Sequence, residues 1–302
     1  MSVAPRTQFT RGVSAAIPLL FLAIIPLQHG IDRDRSGLGA SGELWVRSGK
    51  LLKTMSMGYD ALLADIYWTR AVQYYGAQFD AGGSQFSEMY PLMSIAFTLD
   101  PRLTVVPTTG SILLSEPSPI GAGRPDQAVE LLQQAIAAKP DDWQLYASLG
   151  FVYYWYMKDY QHSSQVYLEG SQRPGAPILM KGMAARVAEL GGSRETSMMV
   201  WSEIYQNSSE PRARENAKEH LMALRAQADI EELQKMVDNY RGPIPRLTSL
   251  KDLVEDRVLP AVPVDPAGYP YVMDSSGRVG LNPSSTVRMD ILEPTKLDRG
   301  RK

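Results

Sequence analysis

The 302 residues carry 31 Lys and Arg against 33 Asp and Glu, and a formal charge of −2 leaves no cationic field to hold a nucleic-acid backbone. The absence of cysteine removes disulfide frameworks, thiolate zinc sites and cysteine nucleophiles together. A chain of this length buries a core without such staples, so size and charge select no function of their own.

The first element runs from Gly12 to Leu27, sixteen residues without a charge, preceded by Arg6 and Arg11 and followed by Gln28, His29 and Asp32-Arg33-Asp34-Arg35. A segment of this kind directs a chain to a membrane. As a helix it covers about 24 Å, which spans a hydrocarbon layer of ~30 Å if the flanking arginines reach the headgroups. The expectation is an uncleaved N-terminal transmembrane anchor over residues 1–35, set against a cleaved secretory signal and a buried soluble helix. No clear small-x-small cleavage site follows Leu27 closely, and the nearest run of small residues, Gly39-Ala40-Ser41-Gly42, lies a dozen residues away. Pro18 and Pro26 weaken every helical version, because each removes an internal hydrogen bond. Arg6 and Arg11 favour the N-terminus inside, whereas Arg33, Arg35, Arg47, Lys50 and Lys53 pull the other way. With the segment N-terminal and a large domain after it, the body is expected on the extracytoplasmic, periplasmic side.

Residues 36–56 read as a connector, opened by the Gly/Ser-rich stretch Ser36 to Gly42, and residues 57–240 as a helical body with apolar positions recurring at three and four. In its first helix Tyr59, Leu62, Leu63, Ile66, Tyr67 and Ala71 form the stripe expected to face the core. Breakers follow at Asp100-Pro101, Lys139-Pro140, Arg173-Pro174 and Glu210-Pro211, with spacings of 39, 34 and 37 residues. Recurrence near 34 residues, with proline closing each unit, marks helix-turn-helix repeats. Small residues such as Ala128, Ala135 and Gly150 let paired helices approach, while Leu132, Tyr153 and Tyr167 fill the space between neighbours.

The unit Asp142 to Pro174 resembles the tetratricopeptide repeat. Tyr146, Leu149, Gly150 and Tyr153 stand for the family's aromatic, leucine, glycine and tyrosine, and a turn follows at Lys158-Asp159-Tyr160. Ser163, Tyr167 and Gly170 then stand where the family has small, aromatic and small residues. The unit before it supplies Ala128, Leu132, Ala135 and Pro140 on its second helix. Its first helix is poorer, with Gly110 and Leu113, and Ser115 to Arg124 is an inserted loop. Met93, Ala96 and Pro101 end a first unit, and Gly192, Ser197, Trp201 and Pro211 mark a fourth; both depart from the pattern at several positions. The resemblance covers residues 57 to 211, and helices at 212–226 and 229–240 read as a capping pair. It implies an all-α fold, an α-α superhelix or solenoid whose stacked pairs present a concave groove. The resemblance places Gln144, Ala147, Phe151, Tyr154 and Trp155 in that groove, and turns Tyr146, Leu149 and Tyr153 toward neighbouring helices. Burial of the same aromatics under the 115–124 loop or the C-terminal segment is the competing reading.

Residues 241–302 hold eight prolines and form a C-terminal extension with one short helix over Leu250 to Val258. β-Capable runs around Asp274-Ser275-Ser276-Gly277 predict a hairpin. The stretch Asp265-Pro266-Ala267-Gly268-Tyr269-Pro270-Tyr271 is similar to a segment near the C-terminus of type II secretion pseudopilins, where it belongs to a small β element; as a seven-residue sequence it is also common turn chemistry. The last twenty residues read as a polar tail.

Catalysis needs convergent groups, and the sequence offers few. His29, His162 and His220 lie on separate elements with no carboxylate or second histidine at ligand spacing, and each reads as a surface or partly packed residue. Ser48-Gly49-Lys50 fails as a phosphate loop, since Leu44 replaces the first glycine and Leu51 the serine or threonine. No catalytic, cofactor or metal site is expected, and no small-molecule substrate. The expected function is a membrane-tethered scaffold that binds a peptide or helix of another protein, as an accessory or assembly subunit of a cell-envelope complex. The alternative is an integral structural subunit of a pilus, secretion or electron-transfer assembly.

Overall fold

A computed structural model of the chain describes residues 48–82, 86–240 and 247–294, together with Pro26. Among these residues the architecture is all-α, with eleven α-helices and one small hairpin. They are α1 (Gly49–Met55), α2 (Asp60–Asp80), α3 (Met89–Leu99), α4 (Val105–Ser115), α5 (Pro125–Ala138), α6 (Trp143–Phe151), α7 (Tyr160–Gly170), α8 (Ile178–Leu190), α9 (Arg194–Asn207), α10 (Pro211–Asp238) and α11 (Leu250–Glu255). The apolar run Gly12 to Leu27 lies outside the described residues apart from Pro26, and no described helix is long and apolar enough to cross a membrane.

Local chemistry sets the helix ends. Asp142 and Asp159 accept from the backbone N–H groups of Gln144 and His162, and Ser249 forms a capping box with Asp252. Pro125 and Pro211 occupy the first turn of α5 and α10, where a missing N–H is no loss. The breaker at Asp100 ends α3 and that at Lys139 ends α5, whereas Pro211 opens a helix rather than closing one.

From α2 to α10 each helix packs against the next in sequence, with thinner contacts from α3 to α5 and from α4 to α6. The pairing depends on small residues at the crossings. A Cβ on Gly150 would lie 2.9 Å from the Tyr167 ring, and the Ser163 hydroxyl donates to the Gly150 carbonyl at 2.7 Å. A Cβ on Gly170 would overlap that of Tyr146. The Tyr146 hydroxyl donates to the Pro140 carbonyl at 3.0 Å, and the Arg173 guanidinium lies 4.9 Å over its ring. One aromatic thus touches the breakers on both sides of its unit. Ala128, Leu132 and Ala135 are fully buried, as their positions on α5 predict.

The structure corrects four expectations. On α2 the buried residues are Ala64 and Ala71, with Leu63, Tyr67, Trp68, Tyr74 and Tyr75 packed beside them. Tyr59, Leu62 and Ile66 are exposed, so the buried face is turned by roughly 90° about the helix axis from the predicted stripe. Residues 49–55, read as connector, form α1 under a Ser48 cap. The capping pair is one continuous helix, α10, because Ala226-Gln227-Ala228 contains no breaker and favours helix.

The fourth correction concerns the tail, of which residues 283–294 are described. Val287 is buried against Ala223 and Ala226 of α10, and Leu292 also packs there. The predicted hairpin forms as β1 (Val272–Met273) antiparallel to β2 (Val279–Gly280). Gln234 of α10 holds it: its side-chain amide donates to the Gly277 carbonyl at 3.1 Å and accepts from the Val279 N–H at 2.8 Å. In the preceding turn, Asp265 Oδ1 accepts from the Ala267 and Tyr269 N–H groups, Gly268 takes a φ of +91°, and the Tyr271 hydroxyl donates to Asp229 at 2.8 Å. Burial raises the Asp265 pKa, but the hydrogen bonds from Ser285 and from the turn outweigh it and hold the carboxyl below its ordinary range.

Candidate partner-binding site

α6 runs directly into a π-helical turn over Val152–Met157, which ends at Lys158 in the left-handed region with a φ of +55°. Bonding from i to i+5 widens the turn and changes which side chains meet. Phe151 stacks on Trp155 with centroids 6.0 Å apart and planes 9° from parallel, and meets Tyr156 edge-on at 5.9 Å. Tyr154 tilts against Trp155 at 6.0 Å and against Tyr160 at 6.1 Å. Lys158 Nζ stands 5.0 Å over the Trp155 ring and 5.9 Å over that of Tyr154, within reach of both negative ring faces.

Of the five expected groove residues, the structure therefore brings Phe151, Tyr154 and Trp155 into one aromatic cluster. Phe151 is 36% exposed, and Tyr154 and Trp155 are half-buried. Gln144 and Ala147 precede Phe151 by seven and four residues and share its side of α6. Gln144 is exposed, whereas Ala147 packs partly against Tyr146, Tyr167 and Met180. Tyr146 and Leu149 are buried toward neighbouring helices. The Tyr156 hydroxyl donates to Glu116 at 2.9 Å, so the loop after α4 engages Tyr156 and leaves Phe151 open on one side.

Of the two described histidines, His162 is exposed as expected and His220 is not. His162 Nδ1 lies 2.6 Å from the Asp159 carboxylate, the residue that caps α7, and its ring stacks on Tyr153 at 5.5 Å. The backbone N–H of His162, followed by its side chain, holds the Asp159 carboxyl below its ordinary range, while burial pushes the Tyr153 phenol up. His220 is buried rather than superficial. Its ring stacks on Trp201 at 4.3 Å and its Nδ1 lies 3.1 Å from Glu189, which also pairs with Arg186. His29 lies outside the described residues.

Among the described residues no three His, Asp or Glu side chains converge as a metal site requires. The sequence reading missed Lys158 and the π turn. A lysine two positions after the four successive aromatics Tyr153 to Tyr156 was a signal that could have been used for the first; helical periodicity carries none for the second. No family model, curated protein or solved structure matches the chain.

Proposed function

We propose that this chain is a non-enzymatic scaffold of degenerate tetratricopeptide-type helix pairs, stacked as a solenoid and tethered to a membrane by its N-terminal apolar run. It serves as an accessory or assembly subunit of an envelope complex and binds a segment of another protein at the end of α6. Serial pairing from α2 to α9 supports the repeat reading. The observation that carries the binding reading is the cluster of Phe151, Tyr154 and Trp155 under Lys158, stacked among themselves and open on the Phe151 side. Aromatic side chains dominate binding hot spots, and an ammonium at their rim suits a partner segment that is apolar with a carboxylate beside it. Tethering raises the effective concentration of that contact without adding any interface.

Affinity purification of the full chain in mild detergent tests the reading, comparing wild type with Phe151→Ala/Tyr154→Ala/Trp155→Ala. Loss of specific co-purifying proteins from a variant with unchanged circular dichroism is expected. Undiminished recovery from that folded variant counts against the site.

A further inference from the structure

We infer that the outward face of α1 and the first half of α2 is a lipid-contact surface, lying in the headgroup layer of the membrane to which the chain is tethered; the inference rests on the membrane reading above. α1 buries none of its residues. Leu51 and Met55 on α1, Met57 in the turn, and Tyr59, Leu62 and Ile66 on α2 are all exposed, Met57 at 91% and Leu62 at 57%. Tyr59, Leu62 and Ile66 follow one another by three and four positions, so they form a single stripe on the side of α2 turned from Ala64 and Ala71. Met57 holds a φ of +51° beside Gly58 at +91°. An unbranched side chain enters that region only at a cost, and here the turn directs into solvent the most exposed large apolar side chain among the described residues.

The occupant follows from what surrounds the stripe. Scattered apolar residues on a surface need no explanation, but a stripe such as Tyr59, Leu62 and Ile66 along one side of a helix marks a contact. This one belongs to the first described helices after the sixteen-residue uncharged run, with Leu51 only 24 positions beyond Leu27. Later helices of like composition, α3 and α5, expose no large apolar side chain. Cations lie beside it: Lys50 is exposed next to Leu51 on α1, and Arg70 lies one turn beyond Ile66 on the same side of α2, whereas Lys53 turns inward and donates to the Thr98 carbonyl at 3.3 Å. Asp60 is bonded to the Ser56 hydroxyl, and Asp65 points to the flank, about 100° around the axis from Ile66. An apolar stripe rimmed by lysine and arginine is the pattern of a helix in the interface plane, its apolar side sunk about 5–10 Å and its cations among anionic headgroups. Tyr59 adds a ring with an apolar body and a polar tip, suited to the same depth.

The chain contains no cysteine, so one introduced thiol takes a unique label. Full-length Met57→Cys and Ser275→Cys proteins carrying an environment-sensitive fluorophore are reconstituted into vesicles containing phosphatidylserine and spin-labelled lipid. Quenching at position 57 by shallow spin labels is expected, with none at position 275 in the distant hairpin. Adding Leu62→Glu and Ile66→Glu abolishes the quenching while the protein still floats with the vesicles. Flotation without quenching at position 57 keeps the tether and overturns the lipid face. Failure to float overturns both readings. Cross-linking between positions 57 of two chains, in place of quenching, makes a second copy the occupant and overturns the inference.

Discussion

In α5 Leu131, Leu132, Ala128 and Ala135 are fully buried, whereas α2 buries only Ala64 and Ala71 and leaves Leu62 and Ile66 in solvent. Both helices are rich in apolar residues at helical spacing. What differs is the number of neighbours: α5 lies between α4 and α6 and also touches α3, while α2 leans chiefly on α3. In a series of pairs, burial is decided by position in the series as much as by apolarity. Among the described residues, α2, with one main neighbour, retains a second greasy side that the core does not use.

The contrast can be broken most forcefully by the same deletion on the two helices. Leu132→Ala is expected to destabilise by about 2–5 kcal/mol, the range for emptying a fully buried leucine site, read from urea denaturation. Gly150→Val tests close approach within the central unit. Its new Cβ would meet three atoms of the Tyr167 ring at 2.9 Å, and overpacking of this kind costs about 1–3 kcal/mol. Gln234→Ala removes both hydrogen bonds that hold the hairpin, with an expected cost of about 1 kcal/mol and faster hydrogen exchange at the Val279 amide.

A smaller effect depends on pH. Burial pushes the Tyr167 phenol above its usual 10.0, so the folded chain favours the neutral ring. That contribution is intact below pH about 10 and is lost as pH rises further, because the unfolded chain ionises first. Tyr167→Phe should flatten stability against pH above about 10, while Tyr271, also raised chiefly by burial, retains part of the slope. Least of all, Leu62→Ala should change stability by under about 0.5 kcal/mol. A loss near that of Leu132→Ala would mean the α2 stripe is packed within the folded chain and would dissolve the contrast.

The paired helices were legible because their crossings are written in residue size. Gly150 opposite Tyr167 and Gly170 opposite Tyr146 are local patterns with a steric reason. The buried face of α2 was misread because apolar residues occupy both of its sides, and large ones drew the stripe toward Leu62 and Ile66. Ala64 and Ala71, small and seven apart, mark the side of close approach. At the candidate site the aromatic residues were legible, but their contacts were not. The stack of Phe151 on Trp155 depends on a π turn, and no 3.6-residue periodicity announces one. Glu189 and His220 meet from 31 positions apart on separate helices, a pairing that only the packing of both α8 and α10 on α9 reveals.

The C-terminal extension has a consequence for assembly. Leu250, Leu253, Tyr271 and Val279 gather on Leu233 of α10, Val287 on Ala223 and Ala226, and the Arg186 guanidinium donates to the Glu293 carbonyl at 2.6 Å. A second molecule could not dock its own helices along that flank of α10 without first stripping these residues away. Head-to-tail addition of a second copy on this side would have to displace that covering first.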